Sequence, residues 1–291
     1  MNKLLVTGAS GFLGWNICQV AASQWEVYGT YRSKSVTIPG VKTLQLDLTD
    51  FDALKSIIEE IKPTAIIHTA AQSKPNYCQL HPEETYPINV TASVNLAGLS
   101  ADYSIACAFT STDLVFDGLN PPYKETDPVS PISVYGEQKL EAEQGILERN
   151  PQVAVCRMPL MFGKASPHAG SFIQGFIQTL KADKELQLFT DEYRTSVSGT
   201  TAAKGLLLAV EKSTGILHLG GKERLSRYDF GRVLAEVLEL PLEKIKPCLQ
   251  QDVQMPASRP PDVSLDSSKA FELGYKPLSI REELEALKGE V

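Results

Sequence analysis

The stretch LLVTGASGFLGWNICQVAA, residues 4–22, leaves this chain few folds to choose from. A compact apolar run ends at Thr7, and three glycines follow at positions 8, 11 and 14 before an apolar pattern with helical spacing begins. Gly8 permits a tight turn, Gly11 lets backbone approach a pyrophosphate, and Gly14 lets the helix pack closely on the strand. Ser10, Phe12 and Leu13 complete a loop that opens a helix, whose free N–H groups and positive dipole favour phosphate. The pattern predicts a strand–loop–helix unit that cradles a dinucleotide.

The same rhythm continues downstream. KLLVTG, EVYGTY, TLQLDL, AIIHTA, ACAFTS and VAVCRM are strand-length apolar segments, separated by helical patterns at Asp50–Ile61, Pro82–Asp102 and Tyr135–Asn150. Near-continuous apolar strands alternating with helices imply a parallel sheet covered on both faces. The expected fold is α/β, a Rossmann-type doubly wound parallel sheet with a smaller C-terminal substrate-binding lobe. After about residue 160 the chain becomes loop-rich, with helices expected near 171–183, 200–212, 226–238 and 279–288. The expected division is a dinucleotide-binding domain over 1–160 and a substrate-binding lobe over 161–291. The two interleave, because GILHLGG returns a strand and 196–221 rejoins the first domain.

Composition excludes several classes of function. With 291 residues the chain can bury a sizeable core. A net charge of -7 argues against a nucleic-acid partner. No apolar run approaches the roughly 18 residues of a membrane span, and glycines interrupt the start, against a signal peptide. Five scattered cysteines, at 18, 78, 107, 156 and 248, read as reduced thiols, and with no targeting signal they suggest a cytoplasmic location. His68, His81, His168 and His218 have no metal-ligand spacing, so no metal is expected.

Two further stretches carry chemistry. Where an acid after the second strand would bind the ribose 2′-hydroxyl of NAD, this chain reads GTYRSKS, with Arg32 and Lys34 and no acid. A guanidinium there suits a 2′-phosphate, so NADPH is the expected cofactor and NADH the alternative. Asp47-Leu48, after the third strand, suits a contact from Asp47 to the adenine amino group. ISVYGEQKL, residues 132–140, sets Tyr135 and Lys139 four apart, on one face of a helix. Arg194 and Arg259 lie in polar loops and could clamp a diphosphate bidentately, while Gln72 and Ser73 follow the cofactor wall toward substrate. His68, within an apolar strand, reads as a core histidine.

TGASGFLG, Asp47-Leu48, HTAAQ at 68–72, FTSTDLVFDG at 109–118, YGEQK at 135–139 and RMPLMFG at 157–163 occur in the order seen in extended short-chain dehydrogenases/reductases. The chain resembles that family along nearly its whole length. STDLVFDG, PYKETDPVSPISVYGEQKLEAE, DEYRTSVSGTTAA and SRPPDVSLDSSK are most similar to its dTDP-4-dehydrorhamnose reductase branch. By that resemblance Thr112, Tyr135 and Lys139 take the catalytic Ser/Thr, Tyr and Lys places. Thr69, Ala70 and Ala71 run under the cofactor, Met158 and Pro159 lie near its nicotinamide, and Thr112 and Asp113 face substrate. The family commonly has Asn where this chain has His68-Thr69.

The implied reaction is reduction of a keto group on a nucleotide-linked sugar, with Tyr135 giving its proton to the developing alkoxide. Lys139 is expected to lower the phenol pKa from about 10. The small-molecule partner is then a nucleotide sugar, and the resemblance also implies a homodimer. Leu114 replaces the Glu of the dehydratase pattern Thr-Asp-Glu, and the acid typical of NAD-tight epimerases is missing. Two alternatives remain open. One is a nucleotide-sugar epimerase. The other is a non-catalytic NADP-binding subunit similar to the methionine adenosyltransferase β-subunit, which shares this branch and works as a partner protein.

Overall fold

A computed structural model describes residues 2–291. Seven parallel strands form the central sheet. β1 (Lys3–Thr7), β2 (Glu26–Tyr31), β3 (Val41–Gln45), β4 (Ala65–His68), β5 (Ala106–Thr112) and β6 (Ala154–Met158) are joined by a seventh, Gly215–His218. Their order across the sheet is Gly215–His218, β6, β5, β4, β1, β2, β3. Strand order reverses between β1 and β4, the switch point at which open α/β sheets bind ligands. β4 and β6 are buried along their whole length, as a sheet covered on both sides requires.

Helices cover both faces. α1 (Phe12–Ala21) and, later in the chain, the helix Gly199–Lys212 pack on one face. α2 (Phe51–Ile61) and the helices around residues 92–149 pack on the other. α2 starts at Asp50, whose carboxylate accepts from Ala53 N, as its sequence position suggested.

The predicted helix 82–102 is broken. α3 (Pro75–Leu80), which the sequence reading missed, and α4 (Pro82–Tyr86) lead into a π-helical turn at Pro87–Thr91 before α5 (Ala92–Asp102). Pro87 lacks the N–H that a regular α-helix would use there, and the widened turn absorbs the defect. The π turn carries Asn89, which is fully buried. Its side chain accepts from Gln72 N at 2.8 Å and donates to Gln72 O at 3.2 Å, fixing the segment after β4.

α6 (Val134–Arg149) follows β5. The last third adds α7 (Phe172–Lys181), α8 (Gly199–Lys212), α9 (Arg227–Val237), α10 (Ser268–Leu273) and α11 (Ile280–Glu285). α7, α9 and α11 share a second, smaller core built on Phe162, Ile173, Phe230, Leu234 and Leu284. α8 and the Gly215–His218 strand instead belong to the main sheet. Among the described residues no helix is long and apolar enough to cross a membrane.

Candidate active site

A cavity of about 790 Å³ opens where the sheet reverses and runs from the glycine loop to the smaller core. Its floor begins at Gly8, which turns at φ +78°, and at Gly14. A Cβ on Gly14 would stand 2.3 Å from the Gly8 carbonyl oxygen, so only glycine lets α1 sit this close to the turn. The N-terminus of α1 has no capping side chain and no acid in its first turn. Its N–H groups therefore remain available to a phosphate. This cradle fits a dinucleotide pyrophosphate, with Ser10, Gly11, Phe12 and Leu13 along its rim.

The neighbouring wall comes from β4. Thr69 Oγ1 donates to Thr7 O at 2.6 Å, and Thr7 Oγ1 accepts from Thr69 N at 3.1 Å, pinning Thr69, Ala70 and Ala71 beside the glycine loop. His68 lies below them, its Nδ1 2.6 Å from Thr7 Oγ1 and its Nε2 3.0 Å from Ser93 Oγ. Burial lowers it to about 3, with the Lys139 charge adding, so it stays neutral in the core. Leu48, Met158 and Pro159 also line the cavity.

Arg32, exposed beyond β2, lines both this cavity and a shallower one beside it. Asp47 does not reach the main cavity. Its carboxylate accepts from Thr49 N and Thr49 Oγ1, at 3.0 and 2.7 Å, and it lines only the shallower pocket. The turn uses only Oδ1 of Asp47, and the side chain stays exposed beside Arg32 in the shallower pocket.

The polar centre of the cavity joins β5 to α6. Thr112, at the end of β5, donates to Asp113 Oδ1 at 3.2 Å and accepts from Leu114 N. Ser133 caps α6 by accepting from Gly136 N, which sets Tyr135 in the first turn. A Cβ on Gly136 would lie 2.3 Å from the Leu114 carbonyl oxygen. Gly136→Ala is therefore expected to push α6 off that segment, costing about 1–3 kcal/mol in urea denaturation and lowering turnover with it. Unchanged stability would show that the contact is soft.

Tyr135 is 8% exposed and lines the cavity with Thr112. Burial, followed by the Cys78 and Asp113 charges, raises its phenol above the usual value, with Thr112 opposing. The lowering expected from Lys139 does not set the direction in the protein environment: desolvation comes first and raises the phenol. Lys139 is itself 2% exposed, with Nζ 3.9 Å from the centroid of the Phe109 ring. Burial lowers it to about 7, against an opposing pull from Glu143 one turn along α6. Glu143 is held in turn by Ser111 Oγ and by Arg157, whose Nη2 donates at 2.7 Å.

Asp113, 4% exposed, is raised to about 6 by burial, although Arg194 Nε lies 3.7 Å away. Its Oδ2 has no hydrogen-bond partner among the described residues.

Arginines crowd the far end. Arg194 is buried and donates to Tyr193 O at 2.6 Å and to Pro260 O at 3.3 Å. Those bonds use Nη1 and Nη2 and tie loops together, while Nε, 3.7 Å from Asp113, makes no hydrogen bond among the described residues. Arg259 is similarly engaged with Ala257 O and Asn76 Oδ1. Arg227, which the sequence reading missed, lines the same end and carries a buried Nη1 without a partner among the described residues. Its guanidinium lies 4.2 Å over the Phe172 ring and 3.6 Å from Glu192, and burial lowers it to about 10. Only tertiary structure brings it here, since at the start of α9 it reads as an ordinary surface residue. Gln72 and Ser73 line the cavity between these ends. The cavity thus joins an anion cradle, a buried acid–base cluster and a cationic far end. Among the described residues no group of His, Cys, Asp or Glu is arranged to hold a metal ion.

A family model described as RmlD substrate binding domain matches residues 1–290. Methionine adenosyltransferase 2 subunit beta of Xenopus laevis is 32% identical over 281 residues, covering 94% of this chain and 82% of that protein. The probable low-salt glycan biosynthesis reductase Agl14 of Haloferax volcanii is 31% identical over 289 residues, covering 97% and 96%. The crystal structure of a hypothetical dTDP-4-dehydrorhamnose reductase from Sulfolobus tokodaii superposes with a TM-score of 0.83 at 31% identity, covering 96% of this chain and 98% of that one.

Proposed function

The chain belongs to the RmlD substrate-binding-domain family, and from that premise we propose that it is an NADPH-dependent reductase of a keto group on a nucleotide-linked sugar, like the dTDP-4-dehydrorhamnose reductases. The observation that carries this reading is one cavity holding Thr112, Tyr135 and Lys139 between a phosphate cradle and a cationic end. On this reading residues 1–160 with 196–221 hold the cofactor, and the rest of 161–291 holds the sugar nucleotide.

NADPH, when bound, supplies the hydride. Gly8, Ser10, Gly11, Phe12 and Leu13 would hold its pyrophosphate, Arg32 its 2′-phosphate, and Thr69, Ala70, Ala71 and Met158 the nicotinamide half. No acid after β2 competes for the ribose, which favours NADPH over NADH. Tyr135 keeps its proton at neutral pH because burial disfavours the phenolate. It donates that proton to the alkoxide forming on the sugar, while Thr112 hydrogen-bonds the same oxygen. Lys139 stabilises the phenolate left behind and positions the cofactor ribose. Gln72 and Asp113 would orient the sugar ring.

Arg227 has a donor, Nη1, to spare for the substrate diphosphate among the described residues. Arg227→Ala is expected to raise the KM for the nucleotide sugar at least about tenfold with NADPH affinity unchanged. An unaltered KM would remove Arg227 from the substrate site. The function is tested by mixing purified protein, NADPH and dTDP-4-dehydrorhamnose and following the absorbance of the reduced cofactor. Steady oxidation supports it, and none, despite tight NADPH binding, sinks this substrate.

The kinship with methionine adenosyltransferase 2 subunit beta favours a second reading. Here the chain would bind NADP and act as a regulatory partner. Stable association with a methionine adenosyltransferase, without turnover of any keto sugar, would select it.

A further inference from the structure

Residues 163–170 leave β6 and the short strand Met161–Phe162 and cross back over the nucleotide half before α7 begins. The crossing is built around Ser166. Its backbone N–H donates to Ala169 O at 2.8 Å, and its Oγ accepts from Ala169 N at 2.9 Å and His168 N at 3.3 Å. That turn is fastened to the nucleotide half at three points. Ser166 Oγ donates to Ser10 O in the glycine loop at 2.9 Å, and Asn16 Nδ2 in α1 donates to Lys164 O at 3.4 Å. The third point is His168 Nε2, 2.7 Å from Ser35 O. A carbonyl oxygen has no proton to give, so Nε2 is the protonated nitrogen and the donor.

Ser35 ends the exposed bend Arg32–Ser35, which carries both cations placed to meet a 2′-phosphate. Gln45 Nε2 holds the bend at its start, donating to Arg32 O at 3.0 Å, and the next residue, Val36, is buried. Without His168 the stretch between these anchors has no tie to the rest of the molecule among the described residues. An exposed four-residue bend with two long cationic side chains pays a large ordering entropy when it grips an anion, and a tether reduces that cost in advance.

We propose that His168 is a positioning residue for the cofactor 2′-phosphate: by holding Ser35 O it fixes the bend that presents Arg32 and Lys34, and so sets the preference for NADPH over NADH. The inference rests on the cofactor reading above and extends it to a residue from the other half of the chain. It also explains why a bend lacking regular structure can serve as a specificity element.

The test is a titration of the purified protein with NADPH and separately with NADH, following nicotinamide fluorescence, in the absence of substrate. His168→Ala is expected to weaken NADPH about tenfold, the worth of one hydrogen bond supporting a charged contact, and to leave NADH unchanged. His168→Gln keeps a donor of similar reach and is expected to restore most of the lost affinity. Arg32→Ala should lower NADPH affinity alone, and adding His168→Ala to it should cost little more, because the two act on one contact. Equal loss of both cofactors in His168→Ala, or loss of neither, overturns the role of His168 while leaving the cofactor reading intact. Wild-type protein that binds NADPH no better than NADH overturns the cofactor preference, and this inference with it.

Discussion

Tyr135→Phe lowers turnover about a thousandfold and leaves NADPH affinity within about twofold, a loss in the range of a missing general acid. The reasoning starts from burial. Tyr135 is 8% exposed, in the first turn of α6, and its ring packing survives in Phe. What the substitution removes is one oxygen, in the cavity that Thr112 also lines at the end of β5. The surrounding desolvation, together with Cys78 and Asp113, holds the phenol protonated across the neutral range. The group therefore arrives at the reaction carrying the proton that a nascent alkoxide needs. The loss should fall on kcat, because the bond to the developing charge is made only as the reaction proceeds. Stopped-flow or steady-state oxidation of NADPH measures it, and fluorescence titration checks binding separately. A variant with more than about a tenth of wild-type kcat would place the proton donor elsewhere.

Lys139→Met has the second largest expected effect, and it acts in two directions at once. Turnover falls about a hundredfold or more, because the phenolate left by proton transfer loses its cation. Stability of the protein without ligands instead rises. Lys139 is almost wholly buried, and that burial brings it from 10.5 to about 7. Below about pH 7 the folded and unfolded chains both carry the proton, and the cost of burying the charge is felt in full. Between about pH 7 and 10.5 the unfolded chain holds the proton and the folded chain releases it, so this cost is relieved as pH rises. Met fills similar space without a charge. The variant should therefore melt a few degrees higher at pH 6, with the gap closing toward pH 10. A gap that is absent at pH 6, or that widens with pH, contradicts a desolvated Lys139. Loss of function combined with gain of stability is the expected mark of a charge kept for chemistry.

How much of this was legible in the sequence depends on the range of the interactions involved. The glycine loop, the alternating strands and the helices α2 and α6 are local, and residues 4–22, 50–61 and 135–150 announced them, although the Ser133 cap of α6 was not read. The return of a strand at GILHLGG was legible from its composition, and it pairs with β6 from Gly215–Ala154 to His218–Arg157. The π turn at Pro87–Thr91 was not, because helical periodicity continues across it and only Pro87 marks the defect.

Within the cavity, motif residues on strand ends and on α6 came together as their spacing suggested. Charged loop residues did not follow suit. Asp47 looked wholly free for a ligand but spends its Oδ1 on Thr49 two residues on, and Arg194 looked exposed but is buried against Pro260. Arg227 and His168 gave no signal, since their partners lie 35 and 133 residues away. The direction of the Tyr135 shift also escaped sequence reasoning. Spacing places a lysine beside a tyrosine, but only packing reveals how much water both have lost.

The most direct measurement follows the hydride itself. NADPH carrying deuterium at the transferable position of its nicotinamide would be incubated with the protein and dTDP-4-dehydrorhamnose, and the sugar nucleotide analysed by mass spectrometry. A reductase delivers one deuterium to carbon for each NADPH oxidised, and the label should vanish with Tyr135→Phe. An unlabelled epimer with the cofactor unchanged, or an unaltered sugar beside tightly bound NADPH, would contradict keto-sugar reduction as the work of this cavity.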